Sequence, residues 1–217
     1  MLGQDFSYHP GQTQATTLAK WPILESLGIP LCSPSCANAE GITDESNQGV
    51  EGTWMNEFMK EADRRGYRVD YIGVHWYGGI NVDAFKSKME RIYLKYGKRP
   101  LLHTEFSPAD WNADRKGFNS RSPAQILDWM KQILPWLEQT EWISGYAWFS
   151  PSIDNLVGTS SALFDQEGNL TALGKYYQSI TPENPSGDQS ITNDLFNLKN
   201  WLVPTGKTSE EILIATP

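Results

Sequence analysis

Histidine and cysteine are scarce. The 217-residue chain holds three histidines and two cysteines, which is too few for a convincing metal cluster. Cys32 and Cys36 are four apart with no second cysteine pair, so they read as two small buried thiols near a strand end and not as half of a zinc site. Positive charge is also in short supply. With 18 Lys+Arg against 26 Asp+Glu, the net charge is −8 and the pI near 4.9. That excludes the basic face that nucleic-acid phosphates require, and it argues against an anionic membrane surface. No apolar run reaches membrane-spanning length, and no signal peptide is visible at the N-terminus. The chain as written reads as soluble, with no compartment assigned. Asn169-Leu170-Thr171 fits a glycosylation sequon, a pattern common by chance.

What is abundant is aromatic. Nine of the residues are Trp, and aromatics make up 12% of the chain. Flat rings stack on sugar faces, so this composition favours a carbohydrate cleft. The competing use is core filling, and the composition alone leaves the two readings at even odds for each Trp.

The pattern along the chain predicts alternating strands and helices. Residues 13–27 read as a helix with Leu18, Trp21 and Leu24 on one face, bent at Pro22 and stopped by Gly28. Residues 29–33 read as a short strand, and 38–50 as a polar loop. Residues 54–65 form an amphipathic helix on Trp54, Phe58 and Ala62, with Met55 and Met59 beside them, ended by Gly66. Residues 71–76 read as a strand, and 82–96 as a helix burying Phe85, Met89, Ile92, Tyr93 and Tyr96. Residues 99–106 form the central strand. A loop holding Trp111 leads to a helix capped by Ser122, with Pro123 at its first position and Gln125 completing a capping box. Residues 142–149 read as the last strand, 150–167 as a long loop and 170–180 as a closing helix. A further strand is expected at Met1, for five in all. Strands alternating with such helices imply βαβ units and a parallel sheet. Residues 1–180 read as one domain. Residues 181–217, rich in Pro, Gly, Ser, Thr and Asn, read as a linker or tail.

Chemistry concentrates at the C-terminal strand ends, where parallel α/β folds place their sites. One strand ends in His75-Trp76-Tyr77, the next in His103-Thr104-Glu105, and the last in Tyr146-Ala147-Trp148-Phe149. Glu105 closes a short apolar run, and burying an unpaired carboxylate is costly. A carboxylate ringed by Trp, Tyr and His suits attack on an anomeric carbon. The candidate cleft therefore comprises Glu105, His75, Trp76, Tyr77, His103, Tyr146 and Trp148.

Together, several motifs resemble glycoside hydrolase family 128. They are Leu2-Gly3, His9-Pro10-Gly11-Gln12, Ser33-Pro34, Asp70-Tyr71-Ile72-Gly73-Val74-His75-Trp76-Tyr77, Thr104-Glu105-Phe106 and Gly145-Tyr146-Ala147-Trp148-Phe149. Ser160-Ser161-Ala162-Leu163 and Gly168-Asn169-Leu170-Thr171-Ala172-Leu173-Gly174 follow in order. The resemblance implies a (β/α)8 barrel, retaining hydrolysis without a cofactor or metal, and β-1,3-glucan as substrate. It implies Glu105 as nucleophile, with sugar contacts at His75, Trp76, Tyr77 and Trp148. Relatives of this kind are often secreted.

Two departures stand out. The family's Asn-Glu-Pro, whose Glu is the acid/base, aligns with Asp5-Phe6-Ser7. Phe6 cannot protonate a leaving group. Asp5 is the candidate substitute, yet one residue earlier on a strand faces the other way, and retaining hydrolysis needs two carboxyls about 5–5.5 Å apart. The resemblance also begins at the fourth strand of the barrel, so about five βα units are expected, an incomplete or open barrel with two sheet edges available for self-association. Three readings remain open: a retaining glucan hydrolase, a non-catalytic β-glucan binder, and a half-barrel that pairs with another chain.

Overall fold

The computed structural model describes residues 13–36, 54–150 and 153–180. The expected strand at Met1, the candidate pair Asp5 and Phe6, and the tail from 181 lie outside the described residues. Within them the chain is an α/β structure built on a parallel sheet. Its strands are β1 (Ile72–Trp76), β2 (Leu101–Phe106) and β3 (Ile143–Trp148), in that spatial order. The helices are α1 (Gln14–Glu25), α2 (Trp54–Arg65), α3 (Val82–Lys95), a short α4 (Ala113–Lys116), α5 (Pro123–Gln139) and α6 (Ala172–Ser179).

Local signals act as expected at the helix ends. The Ser122 side chain accepts from Gln125 N, and the Gln125 side chain accepts from Ser122 N at 2.9 Å, closing the capping box of α5. Thr13 and Thr16 form a second such box at α1. Gly28, Gly66 and Gly97 follow α1, α2 and α3 with φ of 70°, 67° and 73°, a backbone region in which a Cβ is strained.

The core is one apolar layer between the sheet and its helices. Phe85 of α3 and Trp129 of α5 are buried there, edge-on at 5.4 Å. Phe85 lies 6.2 Å from Phe106 on β2, and Met89, Ile92, Ile126, Met130 and Ile133 complete the layer. In α2, Met55, Phe58, Met59 and Ala62 are the buried stripe, and Trp54 stacks on Phe58 at 5.4 Å.

The strand expected at 29–33 takes a different form. The segment forms no continuous ladder beside β1 and pairs there through two isolated parallel bridges, Cys32 to Tyr71 and Cys36 to Val74. Pro30 and Pro34 carry no N–H and cannot donate to a ladder. The segment is held instead by single bonds, Ser33 N to Tyr71 O and Asp70 N to Leu31 O, both 2.8 Å. Of the five strands expected, three are strands among the described residues.

Candidate functional site

Glu105 owes its position to an irregularity in β2. Strand alternation sends residues 101, 103 and 105 to one face. Leu101 and His103 are fully buried against the helices, so a regular strand would bury Glu105 as well. The register prevents this. Val74 pairs with His103, but His75 pairs with Glu105, leaving Thr104 as an extra residue. The same slip appears against β3, between His103 and Phe106. Such a bulge re-aims a side chain. Thr104 and Glu105 both take the less covered face, and Phe106 returns to the buried one.

On that open face Glu105 meets two of its expected neighbours. The Tyr77 hydroxyl donates to Glu105 Oε2. His75 Nδ1 stands 3.9 Å from the same oxygen; the His75 side chain is 3% exposed and that of Glu105 23%. Burial is the larger influence on His75 and lowers its pKa, while the Glu105 charge opposes it. The Tyr77 pKa is raised, first by burial and then by its bond to Glu105. Tyr77 is therefore a protonated donor fixed on a carboxylate, which holds that carboxylate in one orientation.

Two aromatic rings outside the sequence-derived set flank Tyr77. Phe149 lies edge-on at 5.4 Å and Trp111 edge-on at 6.0 Å. Both are solvent-facing, at 43% and 62% exposure, and the Trp111 indole donates to Tyr77 O at 2.8 Å. The loops carrying them are tied together. The Asp110 carboxylate accepts from Lys116 Nζ at 2.7 Å and from Ser120 N at 2.9 Å, and these bonds lower its pKa. Ser161 Oγ donates to Pro108 O at 2.6 Å, and Asn119 Nδ2 to Val157 O at 3.0 Å. The rim beside Glu105 is thus a cross-braced wall.

Residues 13–177 match the family described as the glycosyl hydrolase catalytic core. The chain belongs to that family, and to glycoside hydrolase family 128 within the solved structures. The similar structures include a subgroup I endo-β-1,3-glucanase of Amycolatopsis mediterranei, 28% identical with a TM-score of 0.62, over 79% of this chain and 67% of that one. The same glucanase bound to laminarihexaose matches at 26% identity and a TM-score of 0.63. A subgroup V exo-β-1,3-glucanase of Cryptococcus neoformans matches at 26% identity and a TM-score of 0.60, over 82% of this chain and 64% of that one. The chain spans about two thirds of the length of these glucanases. Among curated proteins none matches.

In this family 128 chain the expected cleft residues divide between the two faces of the sheet. His75, Tyr77 and Glu105 share the open face. The other four pack toward the helices. Trp76 lies edge-on to Phe85 at 5.3 Å. His103 sits between Phe85 and Phe106, 5.7 Å from each. Tyr146 donates to Glu138 of α5. Trp148 is 7% exposed, 5.2 Å from Phe106, with its indole N–H on Ser161 O at 2.8 Å. Sequence clustering at strand ends could not separate these sets, because the bulge at Thr104 has no composition of its own. Trp111 and Phe149 had one legible signal: each is a large aromatic in or beside a polar loop. Among the described residues, no group of three His, Cys, Asp or Glu is placed to hold a metal ion, and no helix is long and apolar enough to cross a membrane.

Proposed function

We propose that this chain binds β-1,3-glucan in the cleft over Glu105, with Glu105 as the nucleophile of retaining hydrolysis, and that it turns glucan over slowly or not at all. The observation that carries this reading is the Glu105 carboxylate held on the open face by the Tyr77 hydroxyl, with buried His75 beside it. Trp111 and Phe149 supply rings for the sugar faces. Trp76, His103, Tyr146 and Trp148 contribute from behind, by fixing the strand ends. The brake is Phe6, which stands where the family's acid/base Glu aligns and has no proton to give. Asp5 is the proposed substitute if turnover is found. Residues 1–180 are proposed as the C-terminal βα units of a (β/α)8 barrel, and 181–217 as a linker.

Two substrates test this. On soluble β-1,3-glucan we expect binding with little or no turnover. On an activated aryl β-glucoside, whose leaving group needs little protonation, we expect a burst of aglycone and a covalent label on Glu105, both absent in Glu105→Gln. Brisk glucan hydrolysis that Glu105→Gln abolishes and Phe6→Glu fails to improve overturns the assignment of Phe6. No burst and no label overturn Glu105. A non-catalytic binder is the second reading, favoured by the same Phe6.

A further inference from the structure

Residues 33–35 lie against the open face of β1, and Gly73 lets them come close. Ile72 and Val74 are buried in the apolar layer, so alternation sends Gly73 and His75 to the face that Glu105 shares. A Cβ on Gly73 would stand 2.2 Å from Ser35 Oγ and 2.8 Å from the Ser33 carbonyl oxygen, so a larger residue there would displace the segment. Polar bonds fix the contact. Ser33 Oγ accepts from Gly73 N at 2.9 Å and donates to Pro34 O at 3.0 Å. The Pro34 ring sets the backbone angle between the two serines. Ser35, 3% exposed, is thereby presented to β2, where its hydroxyl meets the Thr104 hydroxyl at 2.8 Å.

Thr104 is the extra residue of the bulge that turns Glu105 outward. Val74 pairs with His103 and His75 with Glu105, and Thr104 is paired with no residue of β1 or β3. A bulged residue drops out of the ladder, so ladder pairing does not hold it. The Ser35 hydroxyl supplies the missing anchor, at the usual O–H···O length. A strand relaxed to regular alternation would return Glu105 to the buried face of Leu101 and His103, where a carboxylate is costly.

We propose that Ser35 is a positioning residue, which pins the bulge through Thr104 and so fixes where the Glu105 carboxylate points. Its effect on chemistry rests on the reading of Glu105 as the nucleophile.

The experiment is a double-mutant cycle. Wild type, Ser35→Ala, Thr104→Val, the double variant and Thr104→Ser are each labelled at Glu105 with an activated aryl β-glucoside over a range of concentrations. We expect each single loss of a hydroxyl to lower the maximal labelling rate about tenfold, the size of one hydrogen bond. The double variant should match either single within about twofold, because both changes remove the same bond. Thr104→Ser keeps the hydroxyl and should label like wild type. The half-saturating concentration should move less than about twofold throughout, since Trp111 and Phe149 are untouched. Additive losses, or a loss in Thr104→Ser equal to that in Thr104→Val, overturn the proposal. Amide hydrogen exchange of residues 103–106 in the same proteins separates the pin from the nucleophile. We expect faster exchange in Ser35→Ala and Thr104→Val and not in Thr104→Ser. Unchanged exchange overturns the pin whatever the labelling shows. Faster exchange, in a protein whose wild type takes no label, upholds the pin and overturns Glu105 as nucleophile.

Discussion

Tyr77 and His103 show how single side chains divide the work between chemistry and fold. The Tyr77 hydroxyl is a neutral donor on a carboxylate, and hydrogen bonds to charged groups are worth about 1.5–3 kcal/mol. Tyr77→Phe keeps the ring between Trp111 and Phe149. We expect it to cut labelling of Glu105 by the activated glucoside roughly ten- to a hundredfold, with melting temperature little changed. His103 has the opposite role. It is fully buried, and neither ring nitrogen has a partner among the described residues. Burial, with a smaller contribution from His75, pushes its pKa down to about 3. The unfolded chain takes up this proton near pH 6.5, so the native state binds fewer protons. The stability tied to His103 is present above pH 6.5 and lost as pH falls toward 3, at about 1.4 kcal/mol per unit. His103→Phe, between Phe85 and Phe106, should be at least as stable as wild type at pH 7. It should also lose about 3 kcal/mol less on going to pH 4, as read by urea denaturation. An equally steep acid loss in the variant would refute this account.

At the scale of elements, strand β2 and the loop after it build the site. Composition marked the strand: Pro100 starts it, an apolar run continues it, and Glu105 ends it. The bulge at Thr104, which turns Glu105 outward, was not legible, because a bulge is set by how two neighbouring strands hydrogen-bond and not by the run itself. The same holds for 29–33, where an apolar run suggested a strand and the prolines at 30 and 34 left only isolated bridges. The loop from Ser107 to Ser122 hangs on Asp110. Its carboxyl is held below the usual carboxylate range, first by its bond to Lys116 and then by Ser120. That bracing is present above the ordinary carboxylate range and lost as pH falls through the lowered value. Asp110→Asn should raise hydrogen-exchange rates across 107–121 and leave α3 and α5 unchanged. Unaltered exchange in that loop would show that Lys116 and Ser120 do not depend on the charge.

For the whole molecule, a net charge of −8 and a neutral glucan predict an outcome of their own. Association with a neutral polymer releases no condensed counterions, unlike binding to nucleic acid. Binding of β-1,3-glucan should therefore change less than about twofold between 50 and 500 mM salt, measured by affinity electrophoresis. A steep salt dependence would point to a charged ligand. What the amino-acid order determined is the longer helices, three strands of a parallel α/β sheet, the capping box at Ser122, the family, and Glu105 as the group to watch. All of these rest on local chemistry: periodicity, cap hydrogen bonds and motif spacing. What only the tertiary structure decided is which aromatics gather at Tyr77, the residue that holds Glu105. Tyr77, Trp111 and Phe149 meet from three separate loops, while Trp148 and Tyr146 turn into the core. The side a strand residue faces depends on the register of its neighbours, and register is a property of the assembled sheet.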